Sequence, residues 1–365
     1  MDAEMASLMS KGTYVDEVSP PGANIVSGMK IFRGVDFFQT LSPTPKMTTL
    51  QVLLHVAAQR DYELHSLDFS TAFLQGSLHE EIWLRCPPGF TGSFPAGTQW
   101  SLRRPVYSLR QAPRGWHDTL RTTLASLGFA PATADTSLFL RNDTSLPLFY
   151  VLVYVDDLVF ATADTEALAH VKSFSASASR SPPHSPLLCL PVTRSQLHLR
   201  TNPHRKEHCD AAKRVLRYLC SKSTMGIVLG GRARVVLTGH ADAFWVDDLA
   251  TQRSSQRFTF SLGSGSISWR STRTSSVHSS SCEAEIYAGA TAAQELRWLT
   301  YLLTDFGEAP RSSPVLYQRG QLRLAYVASQ ANAADVFTKA LQPCDHQRFC
   351  TVLGLVPTVP HLLTS

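Results

Sequence analysis

The sequence predicts an α+β protein with two ordered parts on either side of a segment that has no secondary-structure pattern. Helical and extended patterns both recur along the 365-residue chain, and apolar residues make up 44% of it, so a core can be buried. Residues 173–204 combine prolines with many serines and arginines, and no period of a strand or a helix survives there. At about 150 residues per domain, the length predicts two or three domains.

Composition and the absence of certain signals narrow the class of protein. The net charge of +5 permits a nucleic-acid partner without requiring one. The longest apolar run, Leu146 to Val155, is too short to span a bilayer. The first residues, Met1 to Glu4, have neither the basic nor the apolar region of a secretory signal. We therefore expect an intracellular protein, cytoplasmic or nuclear, that is not secreted and has no membrane partner.

The first part contains mostly short elements with apolar spacing. The helix predicted over 114–128 carries Trp116, Leu120, Leu124 and Leu127 on one face, and Gly128 supplies its end. The run 148–155 has the length and the β-branched and aromatic content of a fully buried strand. The predicted elements are a helix over 47–60 with Leu50, Leu53, Leu54 and Ala57 on one face, a strand over 61–69, a short helix or turn over 70–79, the helix over 114–128, and strands over 148–155 and 158–162.

The second part resumes after the proline-rich segment with longer elements. Its longest pattern is a helix over 282–304, whose predicted buried face contains Ile286, Ala290, Ala293, Leu296, Leu299 and Leu303. The other predicted elements are a helix over 207–220, strands over 234–241, 256–262, 266–271, 314–317 and 322–327, and a final helix from about 333.

Two adjacent carboxylates, Asp156 and Asp157, fall between two of the predicted strands. Alone, such a pair is typical of an ordinary solvated turn, because aspartate is favoured there. A further strand ends at Asp68, and strands that bring Asp68 and Asp156 to one place would form a carboxylate cluster suited to hard divalent cations. Two metal ions in such a cluster can clamp the attacking and leaving oxygens of a phosphoryl transfer.

Four motifs occur in an order and at spacings that closely resemble the reverse transcriptase of copia-type LTR retrotransposon Pol polyproteins. They are LDFSTAFLQG at 67–76, PPGF at 87–90, VYSLRQAPRGW at 106–116 and YVDD at 154–157. The resemblance implies a right-hand polymerase palm with partial fingers and RNA-directed DNA polymerase activity. It also implies dNTPs and an RNA or DNA template–primer as partners.

The same resemblance assigns roles to individual residues. Asp68, Asp156 and Asp157 match the catalytic palm aspartates that hold two Mg²⁺ ions, with Mn²⁺ as an alternative. Phe73 matches the gate beneath the incoming sugar, although a plain core position is the competing interpretation. Gln111 matches a residue of the nucleotide pocket.

The second part resembles the ribonuclease H domain of the same family. The resemblance implies that a truncated ribonuclease H-like α/β domain follows the palm. The motifs are HADAFW at 240–245, SSSCEAE at 279–285 and NAADVFTKAL at 332–341. Asp242 and Asp335 match metal-binding catalytic carboxylates. Glu283 and Glu285 both match the catalytic glutamate, but Ser280 and Glu283 form a capping box, which favours Glu285 as the metal ligand. For Trp245 and Trp269 we expect core positions rather than base-stacking platforms.

Three departures from the family pattern suggest internal deletions. Arg33 runs directly into Gly34 where a basic fingers segment belongs, and 173–204 takes the place of the thumb. The strand after Pro314 lacks the family's further carboxylate. A decayed element and a gene model with excised pieces both explain these losses. An alternative function is therefore a catalytically inactive remnant that at most binds nucleic acid, through Arg103, Arg104, Arg110 and Arg114.

These observations predict a domain organisation along the chain. The predicted divisions are a residual fingers segment over 1–46, the palm over 47–172, a disordered linker over 173–204, a connection helix over 205–230, the truncated ribonuclease H-like domain over 231–343, and a tail over 344–365.

Overall fold

The fold is described from a computed structural model. The described residues are 12–17, 25–26, 42–69, 72–78, 81–85, 99–106, 109, 111–141, 148–174, 206–230, 236–248, 250–263, 265–309, 331–337 and 341–357. The chain divides into two compact units, the first of Met1–Pro45 and Glu63–Ser181 and the second of Lys46–Tyr62 and Pro182–Ser365. Helices and sheets occur in both units, which confirms the α+β class.

The helices and strands of the described residues are named in chain order. The helices are α1 (Met47–Arg60), α2 (Ala112–Ser126), α3 (Thr165–Phe174), α4 (Lys206–Ser221), α5 (Ser281–Asp305) and α6 (Pro343–Val352). The strands are β1 (Tyr14–Glu17), β2 (Ile25–Val26), β3 (Glu63–Asp68), β4 (Ile82–Arg85), β5 (Gln99–Leu102), β6 (Ala130–Pro131), β7 (Leu138–Arg141), β8 (Phe149–Tyr154), β9 (Asp157–Thr162), β10 (Met225–Ile227), β11 (Leu237–Asp248), β12 (Arg253–Leu262), β13 (Gly265–Arg273) and β14 (Leu355–Pro357).

The first unit is built around a five-stranded sheet with the order β3-β9-β8-β7-β6, in which all neighbours are antiparallel. Strand β8 is buried from Phe149 to Val153, as its unbroken apolar sequence predicts. Helix α2 packs against the core of this sheet through Trp116, Leu120 and Leu124. A second sheet, with the order β1-β5-β4-β2, has its own apolar cluster around Trp100. The central hairpin β8–β9 is therefore held by a packed sheet.

The second unit contains a three-stranded antiparallel meander, β11-β12-β13, and the long helix α5 that contacts it. Strand β12 is buried along most of its length, including the apolar Phe258 and Phe260. Strands β10 and β14 form a separate two-stranded sheet. The register of β11 shifts between Phe244 and Asp248, so the strand is longer and more irregular than the predicted strand 234–241.

Helix α1 belongs to the second unit, whereas the predicted boundary at 47 placed it with the palm. The Arg60 guanidinium donates to the Glu308 carboxylate at 2.7 Å and to the carbonyl of Phe306 at 3.4 Å. At the buried side of the helix, the backbone N–H of Gly230 donates to His55 Nδ1 at 3.0 Å. These tertiary contacts, which sequence periodicity does not reveal, associate α1 with the end of α5.

The buried face of α5 differs from the predicted one in its first half. Ile286 is 66% exposed and Ala290 is also exposed, so both predictions were wrong, although Leu296, Leu299 and Leu303 are buried as expected. The buried stripe continues instead through Ala284, Ala288 and Ala292. Small side chains at four-residue spacing let the helix approach the sheet closely, and hydrophobicity alone favoured the larger isoleucine.

Other differences concern element ends. The predicted final helix from about 333 is a 3-10 turn, Ala333–Phe337, followed by α6. Helix α3 was not predicted. The predicted strands 314–317 and 322–327, the junction of Arg33 with Gly34, and the segment 173–204 apart from the end of α3 lie outside the described residues.

Candidate functional site

The turn between β8 and β9 presents the adjacent aspartates. Tyr154 is paired with Asp157, which leaves Val155 and Asp156 as a two-residue loop. Val155 has a φ of 59°, a left-handed conformation that is costly for a β-branched residue but suits the twist of a tight hairpin. The Trp116 Nε1–H donates to the Val155 carbonyl at 2.7 Å. Helix α2 therefore helps to hold a strained turn in place.

Strand β3 ends beside this turn and brings the third aspartate to it. Asp68 lies directly opposite Asp157 in the antiparallel register of β3 and β9. The backbone N–H of Phe69 donates to the Asp156 carbonyl at 3.0 Å, so the end of β3 is also bonded to the turn. Residues opposite each other in an antiparallel pair share a face of the sheet. The structure thus brings together Asp68, Asp156 and Asp157, which we call the first carboxylate centre.

The electrostatics of this centre are those of like charges in close proximity. Burial raises the pKa of the Asp157 carboxyl, and the charges of Asp156 and Asp68 raise it further. Among the residues that the structure describes, no lysine, arginine or histidine forms an ion pair with any of the three. A bound cation would relieve this repulsion.

The donor set of the first centre fits a magnesium ion that shares its ligands with a substrate. Within the described ranges, no three His, Cys, Asp or Glu side chains are grouped closely enough to enclose a metal by themselves. Magnesium is nevertheless usually held by one or two carboxylates together with water and substrate phosphate oxygens. The first centre supplies the carboxylates for that kind of site.

Gln111 directly precedes α2, and Phe73 lies in the 3-10 turn Ala72–Gln75, which contacts α2. Gln111 is buried, and neither atom of its side-chain amide has a hydrogen-bond partner among the described residues. Such an amide is costly without a ligand or water. Phe73 is partly buried and packs against both apolar clusters of the unit, so its packing agrees with the competing core interpretation.

Two glycines allow the Phe73 turn to approach α2. A Cβ on Gly115 would lie 2.4 Å from the Ser77 carbonyl oxygen, and one on Gly76 would lie 2.8 Å from the Trp116 backbone nitrogen. The Arg104 guanidinium donates to the Leu74 carbonyl at 3.1 Å from the other side. These contacts explain physically why the motifs at 67–76 and 106–116 contain glycine where they meet.

The arginines that the alternative function would use are engaged within the unit. Arg103 pairs with Glu17 at 3.5 Å, and Arg114 pairs with Asp118 at 2.7 Å, one turn further along α2. Arg110 lies outside the described residues. The described arginines therefore contribute to local structure, although exposed ion pairs are weak and exchange readily with other partners.

The second unit contains a separate cluster, which we call the second centre, around Asp242 on β11. Asp242 and Asp335 are both buried. The Asn332 side-chain amide donates to the carbonyl of Ala241 at 3.1 Å, which fixes the 3-10 turn of Asp335 to the strand beside Asp242. The two aspartates that were predicted from separate motifs are thus carried by elements in contact.

The two candidate glutamates differ clearly in environment. The backbone N–H of Glu283 donates to Ser280 Oγ at 3.2 Å, and the Glu283 carboxylate accepts from the N–H of Ser279 at 2.7 Å and from its hydroxyl at 2.8 Å. These bonds to Ser279 hold the pKa of Glu283 below its usual value. Glu283 therefore takes part in capping the N-terminus of α5, although its carboxylate bonds to Ser279 rather than to the backbone N–H of the N-cap residue Ser280. Glu285 is exposed on the same helix.

Arg257 was not predicted, and it changes the character of the second centre. It lies directly opposite Asp242 in the register of β11 and β12, and it is buried. The only sequence signal was a charged residue within the predicted strand 256–262. A buried guanidinium at this place repels a second cation, so the residues present do not fit a metal pair here.

The tryptophan predictions were only partly correct. Trp245 is 46% exposed rather than in the core, and its Nε1–H donates to the His278 carbonyl at 2.9 Å. Trp269 is partly buried. Trp245 lies within the register shift of β11, between Phe244 and Asp248, where regular pairing with β12 is interrupted.

None of the described helices combines the length and the apolar character needed to cross a bilayer.

Comparisons with known proteins show what the first unit and the chain as a whole are similar to. Residues 14–179 match the family model described as reverse transcriptase (RNA-dependent DNA polymerase). The retrovirus-related Pol polyprotein from transposon RE2 of Arabidopsis thaliana is 28% identical over 436 residues, which covers 90% of this chain and 30% of that protein. The corresponding polyprotein from transposon RE1 of the same plant is 27% identical over the same coverage. That from transposon TNT 1-94 of Nicotiana tabacum is 24% identical, across 84% of this chain and 31% of its own length.

Two features of these alignments bear on the organisation of the chain. It spans only about 30% of the length of the RE2 and RE1 polyproteins. The RE2 alignment is also longer, at 436 residues, than the 365 residues of this chain, so the relative carries internal segments that have no counterpart here. The family match covers the first carboxylate centre, and the wider similarity extends into the second unit. Residues 14–179 therefore match the reverse transcriptase family, and most of the chain is similar to a part of retrotransposon Pol polyproteins.

Proposed function

We propose that the first unit is a polymerase palm that catalyses RNA-directed DNA synthesis at the first carboxylate centre. The observation that carries the proposal is the register of β3 and β9, in which Asp68 and Asp157 are opposite each other while Asp156 occupies the adjoining turn. Three carboxylates without an ion-paired protein cation, in the part of the chain described here, are suited to a cation-dependent reaction on phosphates.

The residues of the chain have distinct tasks in this proposal. Asp68 and Asp156, with Asp157 beside them, would hold Mg²⁺, or Mn²⁺ in its place. A divalent metal bound there would supply positive charge that promotes the in-line attack of a primer 3′-hydroxyl on the α-phosphate of a dNTP. Trp116 fixes the turn so that the carboxylates are positioned before substrate arrives.

Two further residues are proposed to contact the nucleotide. The buried Gln111 amide, which has no hydrogen-bond partner among the described residues, would bond to the incoming nucleotide. Phe73 would lie beneath its sugar, where an added 2′-hydroxyl would clash. The substrates are thus dNTPs and an RNA or DNA template–primer, in keeping with the mildly basic charge of +5.

The second unit is proposed to be a truncated ribonuclease H-like domain without hydrolytic activity. Its support is the pairing of Asp242 and Asp335 on contacting elements, together with the buried Arg257 beside them. The catalytic function proposed for this chain is thus confined to the first carboxylate centre.

The experiment that tests this function is primer extension on an RNA template with purified protein and Mg²⁺. Asp156→Asn removes a centre carboxylate, whereas Asp118→Asn makes the same change of charge on the outer face of α2. We expect template-dependent extension by the unaltered chain and by Asp118→Asn, and none by Asp156→Asn. Extension that is equal in all three proteins would assign the activity to a contaminant.

A second candidate function is a non-catalytic remnant that binds nucleic acid. The internal segments present in the RE2 relative and absent here favour it, because polymerases need surfaces beyond the palm to hold their substrates. This candidate predicts that the unaltered chain binds a labelled RNA–DNA hybrid but does not extend its primer. Binding that falls when Arg103 and Arg114 are replaced by glutamine would then place the contact on the first unit.

A further inference from the structure

The inference concerns Arg257, whose position in the second centre is unusual for a charged side chain. It lies in the middle strand of the three-stranded meander, directly opposite Asp242, and only 5% of it is exposed. Opposite residues in an antiparallel pair have Cβ atoms about 5 Å apart on the same face of the sheet. The guanidinium and the Asp242 carboxylate therefore share one buried face.

The charge of this guanidinium is balanced by carboxylates rather than by water. Nε and Nη1 have no hydrogen-bond partner among the described residues, and Nη2 lies 3.8 Å from Oδ2 of Asp247. The Asp247 carboxylate is itself bonded to the Ser255 hydroxyl. Because arginine keeps its proton in proteins, a buried guanidinium with so few direct bonds depends on nearby negative charge.

The acidic groups around Arg257 provide this charge. Burial lowers the pKa of Arg257, while the charges of Asp247 and Asp242 act in the opposite direction and favour its charged form. The turn of Asp335 is bonded to Ala241, beside Asp242, and contacts the strand of Arg257 as well. A cation is thus already present, as part of the chain, where the ribonuclease H resemblance implies metal ions.

We propose that the Arg257 guanidinium supplies the positive charge of the second centre in place of a divalent metal. Asp242 is then a structural ion partner that stabilises β11 against β12, and it is not a metal ligand. The proposal does not depend on polymerase activity in the first unit, because it concerns a separate group of side chains.

The first test is a double-mutant cycle on the unfolding equilibrium of the full chain in EDTA. Arg257→Met keeps most of the side-chain volume without the charge, and Asp242→Asn is nearly isosteric. Removing one partner of a buried pair should raise the unfolding constant about 100-fold, because the other charge stays buried. The unfolding constant of the double variant should rise by less than the product of the two single increases. The double variant should also fold if either single variant fails to fold. Multiplicative effects in the cycle would overturn the proposal.

The second test asks directly whether the second centre binds metal. Binding of Mn²⁺ alone is followed by electron paramagnetic resonance in an Asp156→Asn background, which weakens the first centre. We expect no bound Mn²⁺ that depends on Asp242 while Arg257 is present. Adding Arg257→Met should create such binding, and Asp242→Asn should abolish it again. Asp242-dependent Mn²⁺ binding with Arg257 intact would overturn the proposal.

Discussion

At the scale of single residues, the hydrogen bond from Trp116 to Val155 is the most informative contact of the candidate active site. It joins α2 to a turn whose β-branched residue has a φ of 59°. A strained turn persists only where its surroundings hold it. The sequence identified Trp116 as a residue on the apolar face of a helix, but periodicity could not reveal its bond to the turn.

Trp116→Phe should therefore weaken both stability and primer extension. The ring is largely kept, but the part-buried Val155 carbonyl loses the donor on the buried Trp116 ring, which should lower the free energy of unfolding of the first unit by about 1–3 kcal/mol. Chemical denaturation followed by far-ultraviolet circular dichroism measures the change. Trp245→Phe is the matched control, because its hydrogen bond to His278 belongs to a half-exposed side chain and water can replace the donor. An equal loss in both variants would contradict the proposed role of the turn.

The raised pKa of Asp157 gives a prediction about pH. In the unfolded chain this carboxyl ionises near its usual value of about 3.9, whereas in the folded unit it keeps its proton to higher pH. Between the two pKa values the folded state binds more protons than the unfolded state does. The contribution of Asp157 to the free energy of unfolding therefore falls as pH rises through this window. Without divalent cations, Asp68→Asn should reduce that fall, because one of the repelling charges is removed. Denaturation of both proteins at several pH values from 3.5 upward checks this; identical pH profiles would contradict the shared centre.

At the scale of elements, the meeting of α2 with the turn of Phe73 depends on glycine. A side chain at Gly115 would collide with the Ser77 backbone, whereas a Cβ at Gly289, in α5, would meet nothing within 4 Å. The same substitution should therefore have opposite effects at two helical positions.

Gly115→Ala should destabilise the first unit by about 1–3 kcal/mol, because the backbone of the neighbouring turn must move. Gly289→Ala should instead stabilise α5 by up to about 1 kcal/mol, since alanine is the better helix former and has room. Thermal unfolding of both variants and the unaltered chain measures the two shifts. Destabilisation by both substitutions would show that the helices respond to something other than this contact.

The longer elements could be predicted from local patterns, because their signals are local, whereas helix α3 and the short strands β1, β2, β4, β5, β6, β7, β10 and β14 were not predicted. The buried run of β8, the amphipathic α2 and the pair of strands around Asp156 followed from periodicity and turn chemistry. Tertiary relationships could not be predicted in this way. The association of α1 with Glu308 and the alanine stripe of α5 depend on which surfaces meet, and hydrophobicity does not encode that.

The candidate site shows the same limit. Asp68 and Asp156 could be predicted to meet because Asp68 ends one predicted strand and Asp156 directly follows another, and the register of β3 and β9 agrees with that. Arg257 could not be predicted, because its importance comes from the residue opposite it in the sheet. The sequence of one strand does not reveal which residue of the next strand lies opposite.

At the scale of the whole molecule, the two carboxylate centres have opposite electrostatic character. The first contains three acidic side chains with no ion-paired cation among the described residues, and the second has a buried arginine within it. Two-metal hydrolysis needs carboxylates on both sides of a metal pair. The strand sequence after Pro314, which lies outside the described residues, carries no carboxylate.

Ribonuclease H activity should therefore be absent. Hydrolysis of a labelled RNA–DNA hybrid by the unaltered chain should equal that of Asp242→Asn, in Mg²⁺ and in Mn²⁺. The reason is a loss of transition-state stabilisation, which would appear in kcat rather than in hybrid binding. Cleavage well above the level of Asp242→Asn would show that another residue supplies a carboxylate. Asp305 would be the first residue to replace.

The central claim is that, of the two centres described, the first, at Asp68, Asp156 and Asp157, is the metal-dependent one. The most direct measurement is the amount of Mn²⁺ retained by a complex with dNTP and a template–primer whose end is a dideoxynucleotide, determined by electron paramagnetic resonance. The account predicts that Asp156→Asn loses the retained Mn²⁺ and that Asp242→Asn keeps it at the level of the unaltered chain. Retention in Asp156→Asn, with loss in Asp242→Asn, would contradict it.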